Sequence, residues 1–134
     1  MRYLLDTNIC IYIINQRPPQ VVQKMRQYPL GELVISSLTV AELAYGMAKS
    51  RHPERNQQAL AQFLTPFELL DFSVEAAQEY GRLRLALESQ GTPIGLVDML
   101  LAAQAISHQL VLVTNNTREF GRIAHLPLEN WVEG

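Results

Sequence analysis

The sequence is poor in cysteine, since Cys10 is the single one among 134 residues. This excludes an internal disulfide and a zinc site built from cysteines, and the isoleucine neighbours of Cys10 predict a buried side chain. Charged residues are also scarce, at 18% of the chain with a formal net charge of −2. Such a chain is not built to bind nucleic acid over its whole surface, although bound divalent cations can reverse the local field at one site.

Long apolar runs are absent as well. No window approaches the roughly 18 uncharged apolar residues of a membrane-spanning helix. The N-terminal apolar stretch is broken by Asp6 and Asn8, and it lacks the basic segment and cleavage site of a secretory signal. These absences predict a cytoplasmic protein without membrane contact. Hydrophobic residues still make up 48% of the chain, which predicts one core and a single domain over residues 1–134.

Short apolar segments alternate with helical patterns along the chain. Strands are predicted at residues 3–5, 33–35, 67–72 and 110–113, and helices at about 7–15, 18–28, 36–49, 52–64, 74–89, 96–107 and 117–122, whereas 127–131 carry no clear pattern. We expect Thr7 or Asn8 to cap the first helix, and Ser36, Ser37 or Thr39 to cap the third. The alternation is typical of an α/β fold with three α/β/α layers, in which helices flank a short, mostly parallel, twisted sheet.

Three carboxylates lie where packing does not readily explain them. Asp6 ends the first predicted strand, and Glu42 and Asp98 are each the one charged residue in a long apolar span. Isolated carboxylates in apolar elements are costly unless they are paired or bind a cation. Strand ends and the N-termini of the following helices meet at one edge of a parallel sheet, so the three are predicted to share a pocket. Oxygen ligands without nearby His or Cys suit Mg²⁺ or Mn²⁺.

Each carboxylate also has a purely structural explanation. Asp6 suits an N-cap, Glu42 suits a capping box with Thr39, and Asp98 suits the positive end of a helix dipole. Taken one at a time, the structural and functional explanations are evenly balanced. The coincidence of three such residues in three charge-poor spans favours a shared metal site.

Two arginines, Arg118 and Arg122, are four residues apart on a predicted short helix beside Asn116. A solvated helix face explains this spacing without any function. Because the last strand would deliver Asn116 to the same sheet edge, the pair could instead bind phosphates next to the acidic pocket.

Five motifs stand in order along the chain: 4–8 (Leu-Leu-Asp-Thr-Asn), 36–46 (Ser-Ser-Leu-Thr-Val-Ala-Glu-Leu-Ala-Tyr-Gly), 91–98 (Gly-Thr-Pro-Ile-Gly-Leu-Val-Asp), 113–120 (Val-Thr-Asn-Asn-Thr-Arg-Glu-Phe) and 128–131 (Leu-Glu-Asn-Trp). Together they resemble the PIN-domain ribonucleases and, within them, the VapC toxins of type II bacterial toxin–antitoxin pairs. The resemblance covers essentially the whole chain and implies a PIN-like domain. The last three motifs resemble the subgroup that cleaves initiator tRNA in the anticodon stem-loop.

The resemblance implies a metal-dependent endoribonuclease. Asp6, Glu42 and Asp98 match the family's metal-binding acids, which hold Mg²⁺ or Mn²⁺ and activate water to hydrolyse an RNA phosphodiester bond. In that setting Arg118 and Arg122 would contact RNA phosphates.

The same resemblance assigns supporting positions around the pocket. Thr7, Asn8 and Thr114 match polar residues that position acids or water. Asn116 stands where the family often carries a fourth acid, and an amide adds no negative charge, so a second metal would depend on Glu119. The implied partners are a VapB-type antitoxin that neutralises the toxin, a tRNA substrate and a second copy of the chain in a homodimer. Larger hetero-oligomers with the antitoxin, and DNA contact only through it, are also implied.

Two other functions remain open at this point. A phosphatase of the haloacid dehalogenase type needs a second Asp where Asn8 stands, and a lysine at the site, yet the only lysines are Lys24 and Lys49. A catalytically weakened PIN-like module that binds protein or RNA is supported by Asn116 and opposed by the three intact acids.

Overall fold

The computed structural model describes residues 1–133; Gly134, the last residue of the predicted domain, lies outside them. Helices and strands follow one another in the order β1 (Tyr3–Leu5), α1 (Thr7–Asn15), α2 (Pro19–Met25), β2 (Leu33–Ser36), α3 (Ser37–Ala48), α4 (Pro53–Leu64), β3 (Glu68–Leu70), α5 (Val74–Ser89), α6 (Leu96–Ser107), β4 (Val111–Val113), α7 (Thr117–Phe120) and β5 (Leu128–Glu129). A 3₁₀ turn at Leu30–Glu32, which the sequence did not predict, leads into β2. None of these helices is long and apolar enough to cross a membrane.

The five strands form one parallel sheet in the order β3-β2-β1-β4-β5. At its centre Leu4 of β1 pairs with Val34 of β2 on one side and with Leu112 of β4 on the other. The chain builds outward from β1 to β3 and then returns to add β4 and β5. This reversal places a topological switch point between β1 and β4, where open α/β sheets bind ligands at the carboxyl ends of their strands.

Both faces of the sheet are covered by helices. Leu4 and Leu112 pack into a core formed with α5 and α6, whereas their neighbours Leu5 and Val113 pack into a second core formed with α1 to α4. Successive residues of a strand point to opposite faces, so burial of both neighbours requires a layer on each side. The predicted three-layer α/β/α fold is confirmed, and Cys10 is fully buried in the second core.

The N-cap of α1 is one of the residues that the sequence suggested for it. Asp6, rather than Thr7 or Asn8, is the N-cap, and its Oδ1 accepts a hydrogen bond from the Ile9 N–H at 2.8 Å. Strand β1 ends at Leu5, as predicted, which leaves Asp6 in the extended conformation that an N-cap requires. Ser36, one of the three residues considered, caps α3.

Several predicted elements are longer than the observed ones. The strand predicted at 67–72 shrinks to β3, because this edge strand pairs with β2 alone and only from Glu68 to Leu70. The last helix, α7, stops before Gly121, where a Cβ would lie 2.7 Å from a carbonyl oxygen of the preceding turn. Arg118 and Arg122 therefore do not share a helix as predicted. Helix α2 stops at Met25, three residues early.

The C-terminal segment, which carried no clear pattern, forms β5 and then an aromatic cluster. The Tyr28 hydroxyl donates to Glu129 Oε1 at 2.5 Å, and the Trp131 indole Nε1 donates to the same oxygen at 2.8 Å. The two rings stack with their centroids 5.6 Å apart and their planes 8° from parallel. We call Tyr28, Glu129 and Trp131 the C-terminal cluster; it holds the end of the chain against the segment that follows α2.

Candidate active site

Three different elements bring the predicted acids to one cavity. Asp6 follows β1, Glu42 lies in the second turn of α3, and Asp98 lies in the first turn of α6. With Thr7 and Asn8 they line a cavity of about 120 Å³ at the carboxyl edge of the sheet. We call it the acidic cavity. Residues separated by up to 92 positions therefore meet as the α/β pattern predicted.

Asp6 is the most deeply placed of the three acids, with 5% of its surface exposed. Burial raises the pKa of Asp6 to about 6, in spite of hydrogen bonds from the Thr114 side chain and the Ile9 N–H that lower it. The negative charges of Asp98 and Glu42 raise it further. A carboxylate that is dehydrated and faces other carboxylates is stabilised by a cation.

Asp98 is half-buried at the N-terminus of α6, where the N-cap residue Gly95 supplies no side-chain cap. Burial raises the pKa of Asp98, and the charges of Glu119 and Glu42 add to the rise. A carboxylate at this helix position would ordinarily be favoured by the dipole. Desolvation and like charges therefore act against this benefit at Asp98.

Glu42 lies exposed at the rim of the acidic cavity and accepts a hydrogen bond from the Thr7 hydroxyl at 2.5 Å. The Thr7 oxygen also lies 3.2 Å from the hydroxyl of the buried Thr39. Because Ser36 caps α3, Thr39 is an interior residue of the helix and the capping box with Glu42 does not form. Thr39 is a supporting residue that the sequence prediction missed, although its position one turn before Glu42 could have revealed it.

The segment after β4 supplies a second line of polar residues. Thr114 is fully buried, and its hydroxyl accepts a hydrogen bond from the Asn116 N–H at 2.9 Å. The Asn116 side-chain amide donates to Glu119 Oε2 at 3.1 Å. Asn116 thus holds Glu119, whose charge acts on Asp98, rather than bringing a carboxylate of its own.

A family model for the PIN domain matches residues 3–126. The chain belongs to the PIN-domain family. It is 44% identical to ribonuclease VapC2 of Haemophilus influenzae over 98% of this chain and 99% of that protein. It is 41% identical to the tRNA(fMet)-specific endonuclease VapC of Shigella flexneri, over 98% of each chain. A solved structure of VapBC2 from Rickettsia felis, bound to a DNA fragment from their promoter, superposes with a TM-score of 0.91 at 44% identity, over 98% of this chain and 99% of that one.

Membership of the PIN-domain family resolves one of the alternatives. The phosphatase hypothesis is wrong, because a different family accounts for residues 3–126. The cavity agrees, since the amide of Asn8 occupies the place at which the phosphatase would need its second carboxylate.

The acidic cavity of this PIN domain suits a hydrated divalent cation. Within residues 1–133, no three His, Cys, Asp or Glu side chains are arranged to hold an ion by direct contact alone. Magnesium ordinarily keeps several of its waters and uses one or two carboxylates, so a closed cage is not required. The cavity lining consists of oxygen-bearing side chains and contains no Lys or Arg, and two of its acids have raised pKa values. The donor set therefore fits Mg²⁺ or Mn²⁺.

The two arginines are separated by the end of α7. Arg118 is exposed on the helix itself. Arg122 donates to the Pro93 carbonyl oxygen at 3.4 Å and lines a different cavity of about 380 Å³ beside α5. They do not share a helix, and a phosphate contact by either arginine stays a prediction.

Proposed function

We propose that this chain is the toxin of a VapC-type toxin–antitoxin pair, an endoribonuclease that hydrolyses RNA with Mg²⁺ or Mn²⁺ bound in the acidic cavity. The observation that carries the proposal is the meeting of Asp6, Glu42 and Asp98, from three elements, in one cavity without a cationic side chain. The matched relatives, named as VapC ribonucleases, support the activity over nearly the full chain. The proposal includes a single PIN-like domain over residues 1–134.

Transfer RNA is the proposed substrate class, and initiator tRNA is the proposed member of it. The basis is the 41% identity to a relative named as a tRNA(fMet)-specific endonuclease. A VapB-type antitoxin is the proposed partner, because the superposed Rickettsia felis structure is a VapBC complex. That complex is bound to promoter DNA, so DNA contact by this chain is proposed to run through the antitoxin.

The chain's own residues hold and tune the metal-binding groups. The Ile9 N–H and the Thr114 side chain fix Asp6, and the Thr7 hydroxyl fixes Glu42. Asp98, in the first turn of α6, is the third metal-binding acid. A bound divalent ion would supply a water of lowered pKa and positive charge at the scissile phosphate. The pKa of Asp6 is raised to about 6. At acidic pH a metal ion must therefore displace a proton from Asp6, and metal binding should be weaker there.

The decisive test is Asp98→Asn, compared with Asp71→Asn, which makes the same chemical change at an exposed acid outside the acidic cavity. Loss of several kcal/mol of metal-assisted stabilisation predicts cleavage about 10³-fold slower in Asp98→Asn. Cleavage of initiator tRNA is followed by mapping 5′ ends, and circular dichroism checks that both variants fold. Equal cleavage by the two variants would overturn the proposal.

A metal-free binding module is the second candidate, and the amide at Asn116 favours it. Calorimetric titration with Mn²⁺ separates the two functions. Binding that is lost in Asp98→Asn supports the nuclease, whereas RNA binding without any Mn²⁺ binding supports the module.

A further inference from the structure

The two helices that follow Asp6 form a surface whose charge is opposite to that of the acidic cavity. Residues 7–31 contain Arg17, Lys24 and Arg26 but no Asp or Glu, which gives a formal charge of +3 in a chain whose net charge is −2. The segment consists mainly of α1 and α2, which pack against each other. Its exposed side chains are largely Asn, Gln and Arg.

One face of α1 runs without interruption from the acidic cavity to Arg17. Asn8, Ile11, Tyr12 and Asn15 recur at spacings of three and four residues, so they lie on the same side of the helix. Asn8 lines the acidic cavity, whereas Ile11, Tyr12 and Asn15 line a groove of about 510 Å³ together with Arg17. A nine-residue helix is about 13 Å long, so the groove begins within one or two turns of the acids. We call Asn8, Ile11, Tyr12, Asn15 and Arg17 the α1 track.

The end of α1 holds Arg17 in place. Gln16 adopts the left-handed conformation with φ 57°, and its N–H donates to the Ile13 carbonyl at 3.1 Å. The Arg17 N–H then donates to the Tyr12 carbonyl at 3.0 Å, which fixes the Arg17 backbone against the last turn. The Arg17 side chain is exposed, and among residues 1–133 no carboxylate forms an ion pair with it.

We propose that the α1 track binds the RNA strand next to the scissile phosphate. This inference rests on the proposed function, because it assigns a substrate contact to the same site. The guanidinium of Arg17 pairs with a backbone phosphate, and the half-buried Tyr12 and exposed Ile11 offer an aromatic edge and an apolar surface to a base. The amides of Asn8 and Asn15 hydrogen-bond ribose hydroxyls or base edges.

Charge and length both favour RNA as the occupant. An acidic cavity repels phosphates, so a polyanionic substrate needs a cationic surface that adjoins it, and the α1 track shares Asn8 with the cavity. About 13 Å corresponds to about four stacked nucleotides at about 3.4 Å each. A second cationic segment, Lys49 to Arg55, follows the C-terminal end of α3, contains Glu54 and does not line the acidic cavity.

The test uses the full chain and a fluorescent RNA of about six nucleotides that spans the cleaved bond of initiator tRNA, a site size within the range known for single-stranded RNA binders. Binding is followed by anisotropy in EDTA, and cleavage is followed separately with Mn²⁺. Arg17→Ala is compared with Arg55→Ala, which removes the same charge from an exposed, unpaired arginine outside the α1 track. Arg17→Lys tests whether charge alone restores binding.

We expect Arg17→Ala to raise the dissociation constant and KM about five- to tenfold with kcat within twofold, and to lower the salt slope of binding by about 0.7. Arg55→Ala should match the unaltered chain, and Arg17→Lys should recover most of the loss. Equal binding by Arg17→Ala and Arg55→Ala overturns the inference while cleavage by the unaltered chain keeps the proposed function intact. RNA binding that depends on Arg17, without cleavage by the unaltered chain, overturns the proposed function and keeps the RNA site on the α1 track. An Arg17→Ala protein that binds RNA normally but escapes the antitoxin assigns the track to the protein partner and overturns it as an RNA site.

Discussion

The acidic cavity and the C-terminal cluster both contain carboxylates, but their surroundings are opposite in kind. In the C-terminal cluster, Glu129 accepts two hydrogen bonds, from the Tyr28 hydroxyl and the Trp131 indole. In the acidic cavity, Asp6 and Asp98 feel the charge of Glu42, and no Lys or Arg lines the space between them. The acids of the cavity also accept hydrogen bonds, but unlike Glu129 they face one another, so a cation stabilises them.

The two regions also depend on different physical terms. The C-terminal cluster is aromatic and closely packed, so its contribution to stability comes mainly from buried apolar area and ring stacking. The acidic cavity is electrostatically unfavourable at neutral pH without a cation, as the raised pKa values of Asp6 and Asp98 indicate. Substitutions should therefore separate stability from activity.

The largest effect on stability is expected from Trp131→Ala. The side chain is 1% exposed and stacks on Tyr28, so its removal should lower the free energy of unfolding by about 3–5 kcal/mol. Urea unfolding followed by circular dichroism measures the change. Tyr45→Ala, an aromatic truncation at a residue 67% exposed, should cost less than about 1 kcal/mol. Similar losses in the two variants would show that burial and stacking in the C-terminal cluster do not stabilise the fold.

The sequence predicted the acidic cavity better than it predicted the C-terminal cluster. Strand β1, helix α3 and helix α6 each have a strong local pattern. Because ligands bind at the carboxyl edge of a parallel sheet, these patterns predicted that the three acids lie close together. Proximity of the three acids therefore followed from element order alone. The sequence left the N-cap of α1 open between Asp6, Thr7 and Asn8, because caps depend on where a strand ends, to within a single residue.

The C-terminal cluster had no comparable local signal. Strand β5 is two residues long, too short for any periodicity, and it exists because it pairs with β4. The hydrogen bond from Tyr28 to Glu129 joins residues 101 positions apart, and its donor lies in a segment that was predicted to be helical. Such contacts arise from tertiary packing, which single-sequence patterns do not encode.

In the absence of divalent cations, the stability of the chain should depend on pH through Asp6. The pKa of Asp6 is raised from 3.8 to about 6 in the folded state, so the folded chain holds this proton more tightly than the unfolded chain. Stability should therefore fall as pH rises from about 4 to about 6, by about 3 kcal/mol in all. Asp6→Asn should remove that fall and be more stable than the unaltered chain at pH 7.5.

Unfolding in EDTA at several pH values measures this effect, with Asp71→Asn as the matched control because its side chain is exposed. Mn²⁺ should flatten the pH dependence of the unaltered chain by stabilising the folded state with Asp6 ionised. Parallel curves for the unaltered chain and Asp6→Asn would mean that Asp6 is not destabilised in the acidic cavity.

Thr7→Val should affect the acidic cavity without affecting the C-terminal cluster. The Thr7 hydroxyl orients Glu42 through a 2.5 Å hydrogen bond, and loss of such an orienting group weakens metal binding about tenfold or more. Calorimetric titration with Mn²⁺ gives the affinity. The control is Thr65→Val, which removes an exposed hydroxyl bonded to the Ala61 carbonyl on α4. Equal affinities in the two variants would show that Glu42 needs no orientation by Thr7.

The smallest effect is expected from Glu129→Gln, which keeps an acceptor oxygen for both donors and removes only the charge. Hydrogen bonds to charged groups are stronger than neutral ones, so we expect a loss of about 1 kcal/mol in the free energy of unfolding. Trp131 is the single tryptophan of the chain, and its emission during urea unfolding reports the change directly. A double-mutant cycle with Tyr28→Phe should give a coupling of at least about 0.5 kcal/mol. Cleavage by Glu129→Gln at permissive temperature should be unchanged, because Glu129 does not line the acidic cavity and is not among the charges that raise the pKa of Asp6 or Asp98. If cleavage falls while stability does not, Glu129 belongs with the functional acids and the division between the two regions fails.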